Sequence, residues 1–202
     1  LAGIPSLLWP GLGAPLGVAA LALLTGGLHL DGLADTWDGL ARRSSREERL
    51  RAMKDPYLGA SGVTVLLLVL LLKVEALSGL HPSRLPLALA LAASTARWSC
   101  LFPMGLFPSA RPEGLGYRFH RGLTWGAVLF ATLTAVFLVF LVASRAGMTP
   151  GQGGMLLAVS FLTAMGMALL AHRAFGGLTG DVHGAVLEMA ETAALVYLGR
   201  IL

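Results

Sequence analysis

Six apolar runs, at roughly 11–30, 60–79, 85–102, 122–143, 151–172 and 184–202, dominate the sequence. Each can form a helix of about 30 Å, the thickness of a bilayer's hydrocarbon core. In lipid a backbone must satisfy its own hydrogen bonds, so runs of this length span as helices; the short alternating segments of a barrel are not seen. Composition agrees, with 55% of the 202 residues hydrophobic and 13% charged, against about 25% charged in a soluble domain. The expected fold is all-α: a polytopic transmembrane helix bundle of about six spans. No polar or Pro-rich linker divides the chain, so residues 1–202 are expected to form a single domain. It starts at Leu1 rather than Met, and a native N-terminal segment is expected ahead of it.

The net charge of +4 does not point to nucleic acid, because the basic residues sit in short connections beside apolar runs. Arg42, Arg43, Arg46, Arg49, Arg51 and Lys54 crowd the first connection, which the positive-inside rule places in the cytoplasm. Counting crossings from there, connections 103–121 and 173–183 fall on the same side, with Arg111, Arg118, Arg121 and Arg173. The opposite connections carry only His81, Arg84 and Arg145. Within the first connection, SSREERLRAMKD reads as a short interfacial helix. Ser44 or Ser45 is its N-cap, Glu47 and Glu48 fill its first turn, and Leu50 and Met53 form a small apolar face. The single cysteine, Cys100, excludes an internal disulfide and reads as an apolar filler. Trp125 and Tyr57, at span ends, read as interface anchors.

Three stretches carry chemistry. In GGLHLDGLADTWDGL, Asp31, Asp35 and Asp38 are spaced four and three apart, which stacks them on one helical face. Three such carboxylates beside apolar spans repel one another unless a cation sits among them, and a hard divalent ion such as Mg²⁺ takes oxygen ligands. The bland alternative is an exposed acidic helix end. His29 projects away from that face, as a weak general base or a structural hydrogen-bonding group. In MKDPYLGASG, Pro56 fixes a corner holding Lys54 and Asp55, and Gly59 and Gly62 open the next helix with little bulk. That arrangement suits a phosphate, or simply close packing at a helix–turn–helix corner. In GGLTGDVHGAVLEMAETAALV, Asp181, Glu188 and Glu191 share a broad face behind a tight glycine loop that ends at Gly180. Glu188 and Glu191 lie inside an apolar run, so each needs a metal, a basic partner or a proton. Arg97, also in a span, either pairs with an acid or binds phosphate. The basic residues of the 111–121 loop serve a polyanionic substrate or lipid headgroups equally well.

These three stretches, in this order and over nearly the whole chain, resemble the cobalamin synthase family of adenosylcobinamide-GDP ribazoletransferases. The resemblance implies a Mg²⁺-dependent, multi-pass enzyme of the bacterial inner membrane with its site facing the cytoplasm. It would join adenosylcobinamide-GDP to α-ribazole, or its 5′-phosphate, and release GMP late in vitamin B12 assembly. Carried over by motif, Asp31, Asp35, Asp38, Lys54 and Asp55, with His29, are the expected catalytic residues. Gly59, Gly62, Arg97, Arg111, Arg118 and Gly180 are expected to hold substrate. Asp31, Asp35, Asp38, Asp181, Glu188 and Glu191 are expected to hold metal. The expected partners are the two substrates and the lipid bilayer, with a homo-oligomer left open and no nucleic acid.

Two other functions fit parts of the pattern. A CDP-alcohol phosphotransferase or prenyltransferase would share the Asp-rich helix and would release a different product. A carboxylate-based ion or proton transporter would use Glu188 and Glu191 as a relay, although the paired broken helices typical of transporters are not evident.

Overall fold

The computed structural model describes residues 11–111 and 113–202. The first apolar run does not form one straight helix. Helix α1 (Gly13–Leu24) has 12 residues, about 18 Å and too short to cross a bilayer. The chain then turns by 87° into α2 (Leu28–Ala41). Gly26 and Gly27 make the break, at φ of +60° and +73°, a backbone region that side chains with a Cβ rarely enter. The interfacial helix α3 (Arg46–Ala52) follows, capped by Ser45, whose hydroxyl accepts from the Glu48 amide. Met53 is buried and Leu50 packs beside it, so its expected apolar face is the one that docks.

The remaining helices are α4 (Ala60–Ser78), α5 (Leu85–Leu106), α6 (Leu115–Gly122), α7 (Trp125–Arg145), α8 (Pro150–Phe175) and α9 (Gly180–Ile201). Four of them, α4, α5, α7 and α8, are each long and apolar enough to cross a membrane, and the bent α1–α2 pair brings the number to five if it counts as one span. The chain is a membrane protein. The sixth expected span coincides with α9, 22 residues long, but Asp181, Glu188, Glu191 and Arg200 make it too polar for a lipid-facing span. It has no need to face lipid, because α2, α4, α5 and α8 surround it. Helix α7 is the reverse case: Leu129, Phe130, Leu133 and Phe137 on it are exposed, as an outer helix in lipid requires.

Two apolar clusters fill the interior. One, around Leu33, Phe175, Val182 and Val186, lies toward the end of the bundle where α2 crosses. The other, around Leu77, Leu156, Leu195 and Leu198, lies toward the opposite end. Between them Lys73 of α4 reaches Glu188 at 2.5 Å and Glu191 at 2.7 Å, all three buried. Arg97 of α5, half-exposed, adds a longer contact to Glu191 at 3.4 Å. Nearby, the Ser160 hydroxyl donates to Thr95 at 3.0 Å and the Thr192 hydroxyl to the Glu188 carbonyl at 2.7 Å.

Removing one partner from such a group leaves a buried charge unpaired. Lys73→Met should therefore lower stability by about 3–5 kcal/mol. Adding Glu188→Gln and Glu191→Gln to that variant should restore most of the loss, since no naked carboxylate then remains. Thermal unfolding of the three proteins in one detergent reads both effects.

Candidate active site

Helix α2 packs alongside α9 and α4. Along it, His29 faces Gly184, Gly32 presses on the Asp181 backbone, Asp38 meets Gly59 and Gly62, and Gly39 meets Met53. The contact with α9 is close enough that a Cβ on Gly32 would sit 2.6 Å from the Asp181 carbonyl oxygen. Glycine at 32 therefore brings the α2 acids onto the first turn of α9.

Asp31, Asp35 and Asp181 gather there. Burial, then the charges of Asp31, Asp181 and Asp38, push the Asp35 carboxyl up to about 6, with Arg111 acting in the opposite direction. A carboxylate so disfavoured marks burial first and, after it, a local excess of negative charge. Asp38 faces elsewhere: its two oxygens accept from the backbone N–H groups of Gly59, at 2.7 Å, and Gly62, at 2.8 Å. It caps the start of α4, where the positive end of the helix dipole favours a carboxylate. The two glycine amides expected to meet a phosphate are thus engaged by Asp38. Asp55 and Lys54 are exposed at the corner beyond α3, and Asp55 accepts from the Tyr57 amide at 3.1 Å.

A cavity of about 490 Å³ opens beside the acids, bounded by the start of α2, the end of α5, the 109–117 segment and the start of α9. His29, Arg111, Gly180 and Asp181 line it, together with Cys100, Ser109, Thr179 and His183. His29 belongs to this site despite projecting away from the aspartate face, because α9 packs along the side of α2 on which it lies. Arg111 contacts Asp181 at 3.4 Å and donates to the Leu50 carbonyl at 3.1 Å. Thr179 caps α9 through the Val182 amide and also donates to Asp181 at 3.3 Å.

A short parallel bridge pairs Ser109 with Leu178, through the Ala110 amide to the Leu178 carbonyl and the Leu178 amide to the Pro108 carbonyl. Arg46 joins both strands of this clasp, donating to the Phe175 and Ala110 carbonyls at 2.5 and 3.2 Å. The cavity wall is therefore held by backbone bonds between segments about seventy residues apart, a separation of 69 for Ser109 and Leu178.

The other expected residues lie apart from this cluster. Glu188 and Glu191, expected to hold metal, have a basic partner in Lys73, one of the three solutions their burial allowed. Arg97 is engaged by Glu191 and the Ala93 carbonyl, so its expected phosphate is replaced by a carboxylate. Arg118 is exposed on α6. Sequence reasoning passed over Lys73, although a lone lysine inside an apolar run is the signal that intramembrane charge gives. It also passed over His183, Thr179 and Ser109, which carry no distinctive spacing.

Among the described residues, no three His, Cys, Asp or Glu side chains are arranged to hold a metal as they stand. The donor chemistry nonetheless fits a hard cation: oxygen only, with mutual repulsion that one positive charge relieves.

That repulsion has a measurable consequence. Because the fold raises the Asp35 pKa from 3.8 to about 6, it favours the protonated form, and the associated stability is lost as pH rises through that value. Without added divalent cation, Asp35→Asn should melt a few degrees higher than the parent chain above about pH 7, and the gap should close below about pH 4. Melting curves across pH check it.

The chain matches the family model of cobalamin-5-phosphate synthase over residues 1–199. A protein of Azorhizobium caulinodans named adenosylcobinamide-GDP ribazoletransferase is 38% identical over 197 residues, 96% of this chain and 72% of its own length. Proteins of the same name from Roseiflexus sp. and Desulfitobacterium hafniense are 37% and 38% identical over 90% of this chain, and 65% and 73% of theirs. No solved structure matches. With the family model covering nearly its whole length, this chain belongs to the cobalamin-5-phosphate synthase family.

Proposed function

We propose that this chain is an adenosylcobinamide-GDP ribazoletransferase, acting late in cobalamin biosynthesis. The observation that carries this reading is the meeting of Asp31 and Asp35 with Asp181, which lines a cavity of about 490 Å³ built partly by the stretches that define the resemblance. The basic connections lie on the same side of the bundle as this cavity, and by the positive-inside rule that side is the cytoplasmic face of the bacterial inner membrane. Relatives with this name come from bacteria.

Transfer would proceed by attack of the ribazole 5′ oxygen on the phosphorus nearer cobinamide. A new P–O bond forms as the bond to the GMP phosphate oxygen breaks, and the 5′ proton passes to an acceptor in the cavity. His29 lines the cavity, and a neutral imidazole there is a suitable acceptor. Arg111, now tied to Asp181 and the Leu50 carbonyl, would turn to the pyrophosphate, where a planar guanidinium binds oxygens in pairs. The first-turn amides of α9, opened by Gly180, point their positive end at the same space. Asp38 keeps α2 in register with α4 and supports the site without reaching substrate. Asp31, Asp35 and Asp181 would hold Mg²⁺, which when bound supplies positive charge for the pyrophosphate and the departing phosphate.

The transporter alternative loses its relay in this arrangement, because Glu188 and Glu191 are held in ion pairs by Lys73 and, for Glu191, also by Arg97. Nucleotide release separates the readings. Full-length protein given adenosylcobinamide-GDP and α-ribazole should release GMP in the presence of Mg²⁺ and lose that activity with a chelator. Asp35→Asn should lower the rate by at least about a hundredfold, the scale of losing a group that acts only in the transition state. Arg145→Ala, exposed at the opposite end of the bundle, should leave it unchanged. Release of CMP from CDP-alcohols, or ion flux in sealed vesicles without transfer, would overturn the assignment.

A further inference from the structure

A second concave surface lies on the outside of the bundle, at the same end as the active site and separate from it. It is a groove of about 510 Å³ between α2, α3, α4 and α8, lined by Trp37, Leu40, Arg49, Ser61, Leu170 and Arg173 with two alanines. The groove holds two guanidinium side chains and no acid. Among the described residues neither Arg49 nor Arg173 makes an ion pair, and the Arg49 Nε is buried with no hydrogen-bond partner. A buried, unpaired guanidinium nitrogen is costly unless something outside the protein accepts its proton.

The floor of the groove is apolar, and its open side continues onto bare hydrocarbon-facing surface. On α8, Leu162, Leu169 and Leu170 are exposed in a line that ends at Arg173, and on α4 Leu68 is exposed below Ser61. Cations therefore sit at the membrane interface directly above an acyl-chain-sized apolar track. Trp37 lines the same groove, and an amphipathic ring is favoured at a membrane interface.

We propose that this groove binds one anionic phospholipid, its phosphodiester held by Arg49 and Arg173 and its acyl chains lying along α8 and α4. Basic pockets between membrane helices on the cytoplasmic side bind anionic headgroups on these terms. The bound lipid would brace α3 against α8, next to the Arg46 clasp that shapes the active-site wall. This inference concerns binding on a separate face and does not depend on the proposed transfer reaction.

The test uses full-length protein delipidated in neutral detergent and titrated with phosphatidylglycerol, phosphatidylcholine or inorganic phosphate. Native mass spectrometry counts the retained adducts and a melting curve reports stabilisation. One phosphatidylglycerol should be retained per chain and raise the melting temperature, with phosphatidylcholine much weaker and inorganic phosphate alone without effect. Arg49→Gln combined with Arg173→Gln should weaken phosphatidylglycerol retention by roughly thirtyfold while leaving phosphatidylcholine unchanged. If the double variant is unstable, Arg173→Gln alone, at an exposed position, should still cost several-fold. Equal retention of the two lipids by the parent chain, or undiminished phosphatidylglycerol retention by Arg173→Gln, would overturn the proposal. Stabilisation by inorganic phosphate equal to that by phosphatidylglycerol would overturn the lipid as occupant.

Discussion

The buried contact of Lys73 with Glu188 and Glu191 is the interaction on which the bundle's arrangement depends. Helix α9 carries too much charge to face lipid, so it must be surrounded, and its carboxylates must find a cation in the interior. Lys73 supplies that cation from α4 and thereby fixes how α4 and α9 meet, in position along their axes and in rotation. An apolar interface would tolerate sliding, because lipid tails are as apolar as leucine and give little reason to prefer one register. The group lies between two apolar clusters, where water cannot substitute for a lost partner.

Once α9 is fixed, its first turn becomes the reference for the active site. Asp181 stands at a set place, and Gly32 lets α2 press on the backbone beside it. Asp38 then ties the other end of α2 to the first turn of α4. The same two helices that share the Lys73 contact thus hold α2 at both of its functional points. The fourth wall comes from the Ser109–Leu178 bridge and the Arg46 clasp, which use backbone groups and so are insensitive to the identity of most loop side chains.

Much of this was legible in the sequence. Apolar runs located the helices, and the spacing of Asp31, Asp35 and Asp38 put three acids on one helix beside the start of α9. Ser45 as a cap and Leu50 with Met53 as a docking face followed from local rules alone. Three features were not legible, for physical reasons. The 87° break at Gly26–Gly27 looks like two permissive residues in an apolar run until positive φ angles reveal the turn. Asp38 shares a face with Asp35, yet a helix face spans enough arc for Asp35 to sit near Asp181 and Asp38 to meet a neighbouring helix. Glu188 and Glu191 needed some partner, but a choice among metal, base and proton depends on which distant helix packs opposite, and 115 residues separate Lys73 from Glu188.

The break also explains why carboxylates that must be ionised can exist in so apolar a chain. Turning by 87° at Gly26–Gly27 sets α2 against α9 and α4, with Gly32 on the Asp181 backbone. Asp31 stays exposed and Asp35 half-buried, so both keep contact with water. Glu188 and Glu191, on a continuous helix, have no such outlet and require Lys73. The two acidic groups therefore follow opposite rules: Asp31, Asp35 and Asp181 lie by the start of α9 with partial access to solvent, and Glu188 and Glu191 are buried and held by Lys73 and Arg97.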